Sequence, residues 1–71
     1  MATKEEFATA VAIARNHALY NPAVPGSPEW VLWEAGVVWG LLGKNCPPNA
    51  TGAGWEGWEY GKKLKEVEND A

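Results

Sequence analysis

Two stretches, NPAVPGSP at 21–28 and KNCPPNATGAG at 44–54, hold all five prolines of this chain and divide its 71 residues into three pieces. Proline has no amide hydrogen, clashes with a preceding helical turn, and turns the residue before it away from helical angles. Whatever helices the chain forms must therefore end at these two breaks. A chain this short is one domain with little spare stability.

The first piece opens with TKEEF. Thr3 is placed to cap the amide of Glu6 while the Glu6 side chain reaches back, the capping-box arrangement. Phe7, Val11, Ala14 and Ala18 then recur on one side, with Lys4, Glu5, Arg15 and Asn16 on the other, which predicts a helix over about 4–20. Asn21-Pro22 stops it. The second piece starts on Ser27, Pro28 and Glu29: a hydroxyl cap, a proline at the first helical position and an acid in the first turn. Its helix is expected over about 28–44. Apart from Glu29 at its start it carries only Glu34 before its end, so it reads as apolar nearly all round and as the central, most buried helix. A third helix is expected from Thr51 or Gly54 to Val67, with 68–71 as a flexible tail. The fold class is all-α, a small three-helix domain.

Glycines dominate the last two helices. Gly36, Gly40 and Gly43 fall on one stripe, and Gly54, Gly57 and Gly61 on another. Each glycine costs a helix interior about 1 kcal/mol relative to alanine, so six of them imply a structural return, most simply close backbone approach. The spacings, four then three and three then four, mirror one another and predict an antiparallel crossing with glycine facing glycine. Trp-x-x-Trp-x-x-Gly also occurs twice, at Trp30, Trp33, Gly36 and at Trp55, Trp58, Gly61, and the same shift of 25 aligns Pro22 with Pro47 and Glu34 with Glu59. Two overlapping helical hairpins sharing the middle helix are the expected architecture.

The totals exclude much. One cysteine, Cys46, forms no internal disulfide, and one histidine, His17, leaves too few soft ligands for structural zinc. No cofactor is expected. His17 and Cys46 as a nucleophilic pair lack an orienting third group and a pocket, so no catalytic residues are expected and the chain reads as a non-enzyme. The most apolar stretch, 30–43, spans about 21 Å as a helix, short of the roughly 30 Å of a bilayer, and the N-terminus lacks a secretory pattern. A cytoplasmic protein with no membrane partner is expected. The net charge of −3 has the wrong sign for affinity through phosphate neutralisation, and Lys62, Lys63 and Lys65 are interleaved with Glu59, Glu66 and Glu68.

GVVWGLLGKNCPPNATGAGWEGWEYG, residues 36–61, resembles the ribosome modulation factor family of small bacterial and phage proteins. The shared features are the glycines at 36, 40 and 43, the Cys46-Pro47 turn and the Gly57-Trp58 pair opening the next helix; NPAVPGSPEWVLW echoes the Asn-Pro turn and following tryptophan of phage relatives. The resemblance implies a hairpin of helices that binds the small ribosomal subunit near the end of its RNA and silences translation by pairing ribosomes.

On the helical wheel Trp55 lies away from the glycine stripe, beside Lys62 and Glu66. It is either an exposed anchor at a rim of mixed charge or a staple packed on the Pro47-Pro48 turn. Trp30 is either a second anchor or packed on Phe7 and Val11. The carboxylates Glu56, Glu59, Glu66, Glu68 and Asp70 are a solubilising face or an acidic surface that mimics nucleic-acid phosphate. The leading expectation is a small phage or bacterial regulator or inhibitor that engages a host protein through Trp55, Glu56, Glu59, Lys62, Lys63 and Trp30. The alternative is a translation-silencing factor that binds the small ribosomal subunit and its rRNA.

Overall fold

The computed structural model describes residues 3–44 and 52–69. Among these residues there are three α-helices: α1, Lys4–Asn16; α2, Pro28–Leu41; and α3, Ala53–Asn69. A 3-10 turn at Ala18–Tyr20 follows α1. Among the described residues there is no strand, and no helix is long and apolar enough to cross a membrane.

Thr3 caps α1 by accepting the Glu6 amide at 3.1 Å, and its hydroxyl meets the Glu6 carboxylate at 3.4 Å. Half of the capping box therefore forms in altered guise: the carboxylate takes the threonine hydroxyl. The first helix is four residues shorter than its periodicity predicts. Asn21, held extended before Pro22, accepts the Ala23 amide at 2.9 Å and donates to the Trp30 carbonyl at 3.1 Å, so the chain must already be reversing. The last turn tightens to i to i+3 bonds in response.

Ser27 caps α2 through the Trp30 amide at 3.2 Å, with Pro28 in the first turn. The far end stops at Leu41, short of the expected Lys44, because Gly43 takes φ +74° and Lys44 and Gly43 donate to the carbonyls of Trp39 and Gly40. This is the Schellman termination, and it removes Gly43 from the packing stripe. At α3 the helix continues through Glu68 and Asn69, which the sequence assigned to a tail; no breaker follows Gly61, and the residues are adequate helix formers. Asp70, Thr51, Cys46 and the Pro47-Pro48 turn lie outside the described residues.

Helix α2 is central, as its composition implied. It supplies Trp33, Val37 and Val38 to the core, α1 adds Ala10 and Ala14, and Val11, Leu41, Leu42, Ala53, Tyr60 and Leu64 pack around them. The α1–α2 pair is antiparallel, with Arg15 on Glu34 toward one end and Thr3 and Glu6 beside Leu41 and Leu42 at the other.

The α2–α3 pair runs the other way from expectation. A Cβ on Gly36 would lie 2.8 Å from the Trp58 nitrogen and 3.1 Å from the Gly57 carbonyl carbon; one on Gly40 would lie 2.7 Å from the Lys62 nitrogen and 3.0 Å from the Gly61 carbonyl carbon. From the opposite side, Gly57 abuts the Trp33 backbone and Gly61 the Val37 backbone. Residue numbers climb together on both helices, so α2 and α3 are parallel and only α1–α2 is a hairpin. The eleven residues 42–52 make this possible: extended, they reach about 36 Å, while α2 is about 21 Å long. The mirrored spacing that predicted an antiparallel crossing counted Gly43 as a packing residue. Gly54 meets the crossing through its carbonyl oxygen, which faces Gly36. The glycines that seat the helices are 36 and 40 against 57 and 61, and a pair four apart reads the same in either direction.

Candidate functional site

Because Gly57, Gly61 and Leu64 turn α3 toward α2, the 3.6-residue repeat sends Trp55, Glu59, Lys62 and Glu66 outward. Trp55 is 43% exposed. Its indole Nε1 donates to Glu59 Oε1 at 2.9 Å, and its ring lies 5.6 Å from that of Trp58, tilted by 48°. Lys62 Nζ stands 5.2 Å over the Trp58 ring. Trp58, Glu59, Lys62, Lys63 and Glu66 line a shallow depression of about 310 Å³. Four of the expected residues, Trp55, Glu59, Lys62 and Lys63, are thus gathered on one face, with Trp58 at its centre.

Trp58 is the residue missing from the site the sequence predicts. It does border the glycine crossing, where its backbone faces Gly36 and Gly40, and its Nε1 donates to the Lys44 carbonyl at 3.0 Å. Its ring also bridges Trp55 and Lys62, so one side chain joins the crossing to the outer surface. The clue was the i to i+3 and i to i+4 spacing to both partners.

Glu56 is exposed on the flank that carries Lys63. Trp30 lies outside the cluster. It occupies the first turn of α2, half-buried, with its carbonyl bonded by Asn21. Phe7 and Val11, its expected packing partners, instead line a groove with Val31 and Trp39 further along α2.

His17 is half-buried and lies 2.8 Å through Nδ1 from the Tyr60 hydroxyl, so it ties the end of α1 to α3. The Tyr60 ring also sits 5.1 Å from Trp33 and stacks 6.3 Å from Tyr20. Burial among these rings disfavours the phenolate and pushes the Tyr60 pKa up from its ordinary value, and Tyr20 adds to the shift. Among the described residues, no three His, Cys, Asp or Glu side chains gather in a way that could hold a metal ion. The α3 face offers what recognition uses: an aromatic anchor, charges of both signs, and a concave centre. Comparison of the chain with protein-family models, with curated proteins and with solved structures finds no match.

Proposed function

We propose that this chain is a non-enzymatic, cytoplasmic binding protein, a small phage or bacterial regulator or inhibitor that engages a host protein through the outer face of α3. The observation that carries this reading is Trp55, a large side chain left 43% exposed and yet fixed by its bond to Glu59. An aromatic ring already held in one orientation loses little freedom on binding, and such rings make effective interface anchors. Glu56, Glu59, Lys62 and Lys63 around it supply a polar rim with both signs of charge.

A second reading keeps the activity that the resemblance to ribosome modulation factor implies, binding of the small ribosomal subunit. It is favoured by Lys62 over Trp58 with Lys63 alongside, since cations next to aromatic faces suit phosphate and unstacked bases. Glu59 and Glu66 in the same depression, and the net charge of −3, weigh for the protein partner.

Immobilised chain challenged with bacterial lysate separates the two. The protein reading expects a retained protein that survives a rise from about 50 to 200 mM salt and is lost with Trp55→Ala. Ribosome retention with a salt slope of about −0.7 to −0.9 per neutralised phosphate, abolished when Lys62, Lys63 and Lys65 are replaced, would establish the second reading instead.

A further inference from the structure

The side of α2 turned away from α3 is apolar and only partly covered by α1. At 100° per residue, Val31, Ala35, Val38 and Trp39 centre about 135° round the helix from Gly36 and Gly40. Together with Phe7 and Val11 of α1 they line a groove of about 610 Å³. Phe7 is 54% exposed, Val31 60% and Trp39 38%. The charged residues that line the groove among the described residues are Arg15 and Glu34, joined through Arg15 Nε at 3.3 Å, and Lys44 Nζ stands 5.2 Å over the Trp39 ring.

We propose that a second copy of this chain docks in this groove about a two-fold axis, each Arg15 bridging its own Glu34 and the Glu34 of the other copy. A two-fold interface must be self-complementary, and a groove with one positive and one negative group meets that condition. A strongly charged partner finds no complement here, whereas a second copy offers an acid for the base and a base for the acid. Arg15 spends its Nε on Glu34, and its terminal amino groups have no acceptor among the described residues, so the guanidinium fork can take a second carboxylate. The three exposed apolar side chains of the groove, Phe7, Val31 and Trp39, present on the order of 100 Å² each, about 300 Å² per copy, a patch of the size that marks interaction sites. With Val11, Ala35 and the ion pair at its edge, the dimer buries close to the roughly 1,200 Å² lower bound of specific complexes, the size range of weak, reversible association. The α3 face stays outside this interface, so the inference stands or falls separately from the proposed function.

Sedimentation equilibrium from about 1 μM to 1 mM tests it. A monomer–dimer equilibrium is expected, with Val31→Glu raising the dissociation constant at least tenfold while leaving the helical circular dichroism unchanged. Arg15→Glu and Glu34→Arg should each associate more weakly than the parent, and their equimolar mixture should recover association, because only a mixed pair restores both cross-copy bridges. A parent that stays monomeric at 1 mM, a Val31→Glu variant that dimerises like the parent, or a mixture no better than its components would overturn the proposal.

Discussion

A methyl group on Gly57 has no space to occupy. Its Cβ would lie 2.9 Å from the Trp33 carbonyl carbon and 3.0 Å from the Trp33 Cα, and these are backbone atoms that no rotamer change can move. The hydrogen now in that direction points at the Trp33 carbonyl, the arrangement of a weak Cα–H···O contact that recurs where helices pack closely. Gly61 repeats it on Val37 one turn later. Helix propensity alone would favour alanine by about 1 kcal/mol. Overpacking opposes that gain and exceeds it, since the whole α2–α3 contact must open to admit the methyl. Gly57→Ala is therefore expected to lower stability by about 2 kcal/mol or more in urea denaturation. Gly52→Ala, with φ +52° but nothing within 4 Å, should cost only about 1 kcal/mol. A Gly57→Ala variant that unfolds at the parent's midpoint would remove the glycine crossing as the basis of the fold.

At the scale of elements, helix starts were legible and helix ends less so. Thr3 and Ser27 announce their caps through a hydroxyl three residues before the amide each one binds, a local signal complete within the sequence. The ends depend on where the chain must go next: Asn21 reaching Trp30 cuts α1 short, and Gly43 closing on Gly40 cuts α2 short. Polarity of the α2–α3 pair was not legible, because Gly36 with Gly40 and Gly57 with Gly61 have identical spacing read forwards or backwards. The side chains at the edges of the crossing do carry polarity: Lys65 lies over Gly43, and Trp58 reaches the Lys44 carbonyl. In a Cys46→Ser background, Lys44→Cys with Lys65→Cys should be joined efficiently by a short bis-maleimide. Glu29→Cys with Lys65→Cys should not, since positions 29 and 44 stand about 22 Å apart along the α2 direction. Efficient linking of the second pair but not the first would restore the antiparallel hairpin.

In the whole molecule, α2 has two neighbours and three faces to cover. Its near-uniform apolarity marks it as the most buried helix, yet with α3 on the glycine side and α1 on Ala10 and Ala14, the Val31 face remains partly open. The α3 surface was more legible, because Trp55, Glu59 and Lys62 follow the helical repeat on the side opposite the glycines. The link between α1 and α3 had no local signature, since His17 and Tyr60 are 43 residues apart. That link has a pH dependence of definite sign. Tyr60 loses its proton near 10 when unfolded, and at a higher pH when folded, because burial disfavours its phenolate and Tyr20 adds to the effect. Its contribution to stability is complete below pH 10 and is lost as pH rises through the folded value, where the unfolded chain releases a proton that the native one still holds. Tyr60→Phe removes the hydroxyl that meets His17 and should cost about 1 kcal/mol at neutral pH. The same variant should lose less on going alkaline, its stability falling with a slope smaller by up to about one proton above pH 10. Thermal midpoints followed by circular dichroism from pH 8 to 11 give both quantities, and parallel alkaline declines in parent and variant would show that Tyr60 ionises as freely in the folded chain as in the unfolded one.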